Sequence, residues 1–334
     1  MMKTPFLVAS ILIGAATVTP AIAAGQPAAH ERDRGTVREE TFFSPALGVT
    51  KRMAVYLPPS YASQPNRRYP VALYLHGLTG TETDWLSRAG LDAIADSLVA
   101  IGMPEMIIAM PDGDDGWYSD WAEPANYAAC ADSSRGESAT RFCVHQAKYE
   151  TYVVRDVVGV VDSRFRTRAD RAHRGIAGLS MGGYGAIELA LRHPDVFAAA
   201  ASHSGVVSPL YVGPRPFTGG VVRYATTLEE ARTAPASFFD RYVRFWGANL
   251  SGWLAADPAH TAERQLAARV ALPALALDCG VDDPFIDQNR ALDAELTRLG
   301  VVHRFTEYPG AHTWRYWTTH APQSMAWLAS EIAR

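Results

Sequence analysis

The residues of this chain best suited to chemistry lie between Gly178 and Ala186, "GLSMGGYGA", a serine set among glycines. Three uses compete for such a stretch: a nucleophile on a tight turn, a phosphate-cradling loop, or a small-residue packing seam. A phosphate loop needs G-x-x-x-x-G-K-[ST], and no lysine follows these glycines. A dinucleotide fingerprint needs G-x-G-x-x-G; Gly183 and Gly185 begin one, but Glu188 occupies the third place. Gly178, Ser180 and Gly182 satisfy G-x-S-x-G, in which a serine sits strained on a strand-to-helix elbow and its neighbours lack side chains so that backbone can approach. Chance supplies this pattern in roughly one chain of this size in ten, so context has to carry the reading. Here the apolar run "GIAG" precedes the serine and the helix-patterned "MGGYGAIELALRHP" follows it. The start of that helix would favour a developing oxyanion. A packing seam predicts none of this.

A serine needs a base, and the base needs an orienting acid, in the order Ser, Asp or Glu, His on such a fold. His193 ends the helix after the serine, His203 precedes the acid region, His260 lies in a long insertion, His303 begins a strand and His320 sits in the last helix. His312 follows "FTEYPGA", the last strand and its turn, where the base is required. The acid is sought after the strand "PALALDCG". Asp278 falls within that strand and Asp287 begins the next helix, which leaves Asp282 and Asp283 in the turn. Chemistry alone does not separate those two.

The elements that must position these groups are legible as short apolar runs ending in glycine-containing turns: 69–78, 105–113, 173–180, 197–205, 273–280 and 303–312. Helix-patterned stretches such as "LDAIADSLVAIG", "QNRALDAELTRLG" and "SMAWLASEIAR" alternate with them. That alternation predicts a mostly parallel sheet covered by helices on both faces, acting at the carboxyl ends of its strands. Residues 206–272 interrupt the alternation with an aromatic-rich excursion over the active site, within a single domain spanning 37–334.

The chain has 334 residues, 48% hydrophobic, with net charge −4, and no long basic run favours nucleic acid as a partner. Residues 1–23 read as a secretory signal peptide: an apolar stretch from Phe6 to Val18, broken by Gly14 and followed by Pro20, and a small-x-small site at Ala21-Ile22-Ala23. The stretch is too short to span a bilayer, and no later segment is apolar enough, so a secreted or periplasmic protein without a membrane span is expected. Residues 24–36 are small and polar and read as flexible. An oxidising compartment would let Cys130 and Cys143, which bracket the polar "CADSSRGESATRFC", pair as a disulfide worth about 3 kcal/mol on the chain-entropy model. Cys279, in an apolar run, reads as a small buried hydrophobe, and three cysteines without ligand spacing leave no zinc site. The acidic loop "PDGDDGWYSD" fails the EF-hand register, because Gly116 and Trp117 stand at its fifth and sixth places. No metal or other cofactor is expected. Trp117 and Tyr118 read either as pocket walls or as plain packing, and so do Trp85 and Trp314.

Taken together, "YLHGLTGTETDW", "PDGDDGWYSDW", residues 149–205, "DCGVDDPFIDQN" and "GAHTWRYW" resemble the esterase D family, which includes S-formylglutathione hydrolases, feruloyl and acetyl-xylan esterases and mycolyltransferases. The resemblance runs from about residue 40 to the end. It implies an α/β-hydrolase fold and places the acid on Asp283 and the base on His312. One oxyanion donor is expected at the amide of Met181, the residue after the nucleophile. The resemblance puts the second at the amide of Leu78. His76, in that turn, precedes the serine and reads as a structural histidine. The expected activity is serine carboxylesterase chemistry through an acyl-enzyme, on a small-molecule or polysaccharide-linked ester. An acyltransferase to a sugar or lipid alcohol would use the same triad, and an inactive binding protein would use the same fold.

Overall fold

The computed structural model describes residues 34–133, 138–233 and 238–334. The signal peptide read at 1–23 lies outside the described residues, as does the segment read as flexible through residue 33. The chain is already in regular structure at Thr36, where the first strand begins.

Eight strands form one sheet: β1 Thr36–Ser44, β2 Val49–Leu57, β3 Val71–Leu75, β4 Ile107–Pro111, β5 Arg174–Leu179, β6 Ala199–His203, β7 Ala274–Gly280 and β8 His303–Tyr308. Their order across the sheet is β1-β2-β4-β3-β5-β6-β7-β8. From β4 to β8 all pairs are parallel, while β2 runs antiparallel to both β1 and β4. This is the α/β-hydrolase fold. Strands β3 to β6 are buried along their whole length, which explains their unbroken apolar composition. Alternation of side chains sends Val71, Leu73 and Leu75 to one core and Ala72 and Tyr74 to the other.

Helices α1 Leu91–Ala100, α2 Met181–Arg192, α3 Phe239–Trp246, α4 Pro258–Ala267, α5 Ile286–Arg298 and α6 Trp314–Ile332 matter most for the site. α1 and α6 contribute to one core, α2 and α5 to the other. Between β6 and β7 the chain leaves the sheet, forms α3 and α4, and returns to pair in parallel with the strand it left.

α2 is buried from Met181 to Leu191 and is held to this excursion by polar contacts. Tyr184 Oη donates to Ala256 O at 2.8 Å, and Thr261 Oγ1 donates to Glu188 Oε1 at 2.9 Å. Burial pushes the Glu188 carboxyl up to about 8, against the opposing pull of Arg192. The folded state therefore keeps a proton that the unfolded chain loses near its ordinary carboxyl pKa, and stability falls as pH rises from about 4.5 to about 8. Glu188→Gln is expected to melt several degrees above the parent at pH 9 and together with it near pH 4.5. An equal difference at both pH values would mean that Glu188 does not titrate in this way.

Cys130 and Cys143 form a disulfide, their Cα atoms 5.5 Å apart. Cys279 is a buried free thiol, and burial pushes its pKa far above the usual thiol value.

Candidate active site

β5 ends at Leu179 and α2 begins at Met181, so Ser180 is the whole of the turn between them. Its φ of 55° and ψ of −118° lie where a side-chain-bearing residue is strained, at a cost of order 1–3 kcal/mol. The flanking glycines explain how the turn closes. A Cβ at Gly178 would stand 2.3 Å from Gly182 O, and one at Gly182 would stand 2.4 Å from Leu75 O. Ser180 N donates to His203 O at 2.9 Å, tying the elbow to the end of β6.

His312 and Asp283 arrive from the loops after β8 and β7. Ser180 Oγ lies 2.9 Å from His312 Nε2, and His312 Nδ1 lies 2.9 Å from Asp283 Oδ2. The other oxygen, Asp283 Oδ1, accepts from Phe285 N at 2.9 Å. An ionised carboxylate only accepts, so Nδ1 carries the proton and Nε2 is left to accept from the serine hydroxyl. The Asp283 side chain is fully buried and that of His312 is 23% exposed, at the floor of a cleft. Phe285 and Trp317 meet the imidazole edge-on, at 5.0 and 4.9 Å between centroids, and fix its plane. Asp282 is exposed, and its amide is spent on Gly310 O. The remaining histidines after Ser180 have other partners: His193 pairs with Glu150, His203 with Asp278 and Ser324, His260 with Asp257 and His303 with Asp293. His320 stacks on Tyr308.

The turn after β3 faces the serine: a Cβ at Gly77 would lie 3.4 Å from Ser180 Cβ. Among the described residues, the amides of Leu78 and Met181 have no hydrogen-bond acceptor in the chain. His76 anchors this turn. Its Nε2 must accept from Gly113 N at 2.9 Å, which puts the ring proton on Nδ1, 2.8 Å from Gly77 O.

Beneath the turn lies the acidic loop that fails the calcium register. Lys51 Nζ fills its centre, 2.9 Å from Asp112 Oδ2, 2.6 Å from Asp114 Oδ1 and 3.3 Å from Arg141 O. The ammonium has no exposed surface. Burial pushes Asp114 up to about 7 against the pull of Lys51. Asp112 is buried too, but the charge and hydrogen bond of Lys51 leave it below the usual carboxylate range. This cluster roots a strained segment, since Asp114, Trp117 and Tyr118 all have positive φ.

The cleft above Ser180 encloses about 370 Å³ and is lined by Leu78, Trp117, Phe238, Phe285, Trp314 and Trp317, among others. At its rim Arg88 lies over the Trp314 ring, 5.1 Å from its centroid. Trp117 and Trp314 thus reach the cleft, whereas Trp85 and Tyr118 do not line it. Trp85 is buried, donates from Nε1 to Leu75 O at 3.0 Å and packs behind Trp314. Tyr118 is buried and donates to His76 O at 3.0 Å. Both have their polar ends satisfied by backbone beneath the wall. The dense aromatics of the excursion, Tyr242, Phe245, Trp246 and Trp253, are likewise buried and in contact mostly with one another and with Trp117. Among the described residues of 206–272, Val206 and Phe238 reach the cleft. Sequence reasoning missed Phe285 and Trp317, although each lies within five residues of a predicted triad member.

The Esterase family model matches residues 44–328. This chain belongs to the Esterase family. An esterase of Mycobacterium tuberculosis is 28% identical over 290 residues, covering 82% of this chain and 55% of the relative, so the chain spans about half the length of the first mycobacterial relatives it matches. An acetyl esterase of Caldicellulosiruptor saccharolyticus is 23% identical over 76% of the chain and 81% of its own length. Among solved structures, a ferulic acid esterase superposes with a TM-score of 0.62 at 26% identity, covering 89% of this chain and 98% of that one. An S-formylglutathione hydrolase from Agrobacterium tumefaciens shares the fold, with a TM-score of 0.65 at 19% identity over 90% of this chain and 96% of that one.

Proposed function

We propose that this esterase hydrolyses carboxylic esters through an acyl-enzyme on Ser180, and that it acts outside the cytoplasm. The observation that carries the reading is the unbroken line Ser180 Oγ to His312 Nε2 to His312 Nδ1 to Asp283 Oδ2, at 2.9 Å on each side of the ring. Ser180 Oγ attacks the ester carbonyl as its proton passes to His312 Nε2. The buried Asp283 carboxylate stabilises the imidazolium so formed. The carbonyl oxygen becomes an oxyanion within reach of the Met181 and Leu78 amides. Collapse expels the alcohol, which takes the proton from Nε2 and leaves the acyl group on Ser180. Water, deprotonated by the same nitrogen, then repeats the sequence and releases the acid.

The cleft argues for a short or aromatic acyl group on a small molecule or a polysaccharide. It is walled by Trp117, Phe238, Trp314 and Trp317, and a ferulic acid esterase and an acetyl esterase are among the proteins it resembles. The signal-peptide reading of residues 1–23 and the Cys130–Cys143 disulfide support an oxidising, exported setting. Among the described residues, no helix is long and apolar enough to cross a membrane.

The test is a p-nitrophenyl ester series from acetate to dodecanoate beside methyl ferulate, with fluorophosphonate labelling mapped to a single peptide. Labelling at Ser180 and a steep preference for acetate or ferulate are expected. Poor cleavage of every ester, relieved by a sugar or glycerol acceptor, would replace hydrolysis with acyl transfer. A folded protein that fails to label would be a binding protein.

A further inference from the structure

The loop from Asp112 to Tyr118 grips the turn from His76 to Thr79 at three points. Gly113 N donates to His76 Nε2, Tyr118 Oη donates to His76 O, and Thr79 N donates to Asp115 Oδ1 at 2.7 Å. The first two contacts are buried and rooted in the Lys51 cluster. The third is at the surface, where the Asp115 side chain is 36% exposed and its second oxygen lies 3.5 Å from an Arg241 guanidinium nitrogen on α3. Thr79 has a φ of 63°, in the left-handed region that a β-branched residue avoids. Such backbone persists only where its surroundings over-determine it. The Leu78 N–H lies in the preceding peptide unit, whose Gly77 O is held by His76 Nδ1 and Gly80 N, and the Asp115 bond pins the following unit at Thr79 N, so that the Leu78 backbone is held from both sides.

We propose that Asp115 is a positioning residue for the oxyanion donor at Leu78. By accepting the Thr79 N–H, its carboxylate holds the strained turn with the Leu78 amide turned toward the reacting carbonyl. Arg241, on the excursion, keeps that carboxylate in place. The inference rests on the reading of Ser180 as nucleophile and of the Leu78 amide as oxyanion donor. An exposed hydrogen bond adds little to stability, so this contact should register in the transition state rather than in the fold.

The experiment compares the full chain with Asp115→Ala and Asp115→Asn on p-nitrophenyl acetate, with Ser180→Ala as control. Melting temperatures are recorded for all four. Removing a whole oxyanion donor costs about 10²–10³-fold in kcat, so misplacing one through Asp115→Ala is expected to cost about 10–100-fold, with KM and melting temperature little changed. Fluorophosphonate labelling, whose adduct oxygen needs the same donor, should slow in parallel. Asp115→Asn keeps an oxygen that can accept from Thr79 and should recover most of the loss. The proposal is overturned if Asp115→Ala keeps wild-type kcat, if both variants lose equally, or if the loss falls on KM alone. Activity surviving in Ser180→Ala would instead overturn the nucleophile assignment beneath it, whatever Asp115 does.

Discussion

Ser180→Ala is expected to lower kcat for p-nitrophenyl acetate by about 10⁶-fold, and His312→Ala by nearly as much. The two residues share one event. Without the imidazole the hydroxyl keeps its proton, and without the hydroxyl the imidazole has nothing to activate. The Ser180→Ala/His312→Ala double variant should therefore be no worse than either single variant. What survives in all three is the work of the binding cleft and the oxyanion donors, about 10³–10⁴-fold above water. Fold should be kept, because Ser180 is held through its backbone, by Ser180 N to His203 O and by Tyr184 N to Ser180 O. The measurement is steady-state kcat for the three variants, freed of wild-type contamination. Losses that multiplied in the double variant would show that the two side chains act independently, against the geometry.

The second large effect lies at the acid. Asp283→Asn should lower kcat by about 10⁴-fold, while Asp282→Asn should stay within about threefold, as surface changes usually do. In the wild type Asp283 Oδ2 accepts from His312 Nδ1 and Asp283 Oδ1 accepts from Phe285 N. An asparagine can satisfy Phe285 with its oxygen, but it then presents NH₂ to the ring. Nδ1 becomes the acceptor, the proton moves to Nε2, and the nitrogen facing Ser180 can no longer take one. The shape of the site is unchanged and its protonation state is wrong. Parallel kinetics of the two variants decide the assignment. A larger loss in Asp282→Asn would put the acid on the exposed neighbour.

Much of this architecture was readable because parallel strands in such a fold are buried on both faces, so that β3 to β7 announce themselves as apolar runs ending in turns, while the edge strand β8 is largely polar and is marked by the turn that follows it. The expected nucleophile and base follow from where those runs stop. The β1–β2 hairpin was not read from the sequence, although β2 carries a two-residue alternation, Val49, Lys51, Met53, Val55, Leu57. A lysine in that series looks like a break in the pattern. It is instead the core-facing cation of a buried cluster, visible once Asp112 and Asp114 are brought opposite. Residue types alone did not separate Asp282 from Asp283, because both are acids in the same turn. What distinguishes them is that one points to solvent and the other accepts from a backbone amide two residues ahead. The cleft walls were the least legible part. Trp85 and Trp314 touch edge to face at 5.8 Å, yet one is packing and the other lines the cleft. Nothing in a tryptophan codon says which side of a neighbour it will take.

The burial of Lys51 also sets how the protein can be attached to things. The chain has three lysines; Lys3 lies outside the described residues, Lys51 is sealed beneath the turn that follows β3, and Lys148 is exposed. Among the described residues, amine-directed coupling therefore falls on one side chain. Lys148 sits at an isolated bridge with Asp120 rather than on the lining of the cleft. A surface or polymer coupled through Lys148 would modify no residue that lines the cleft.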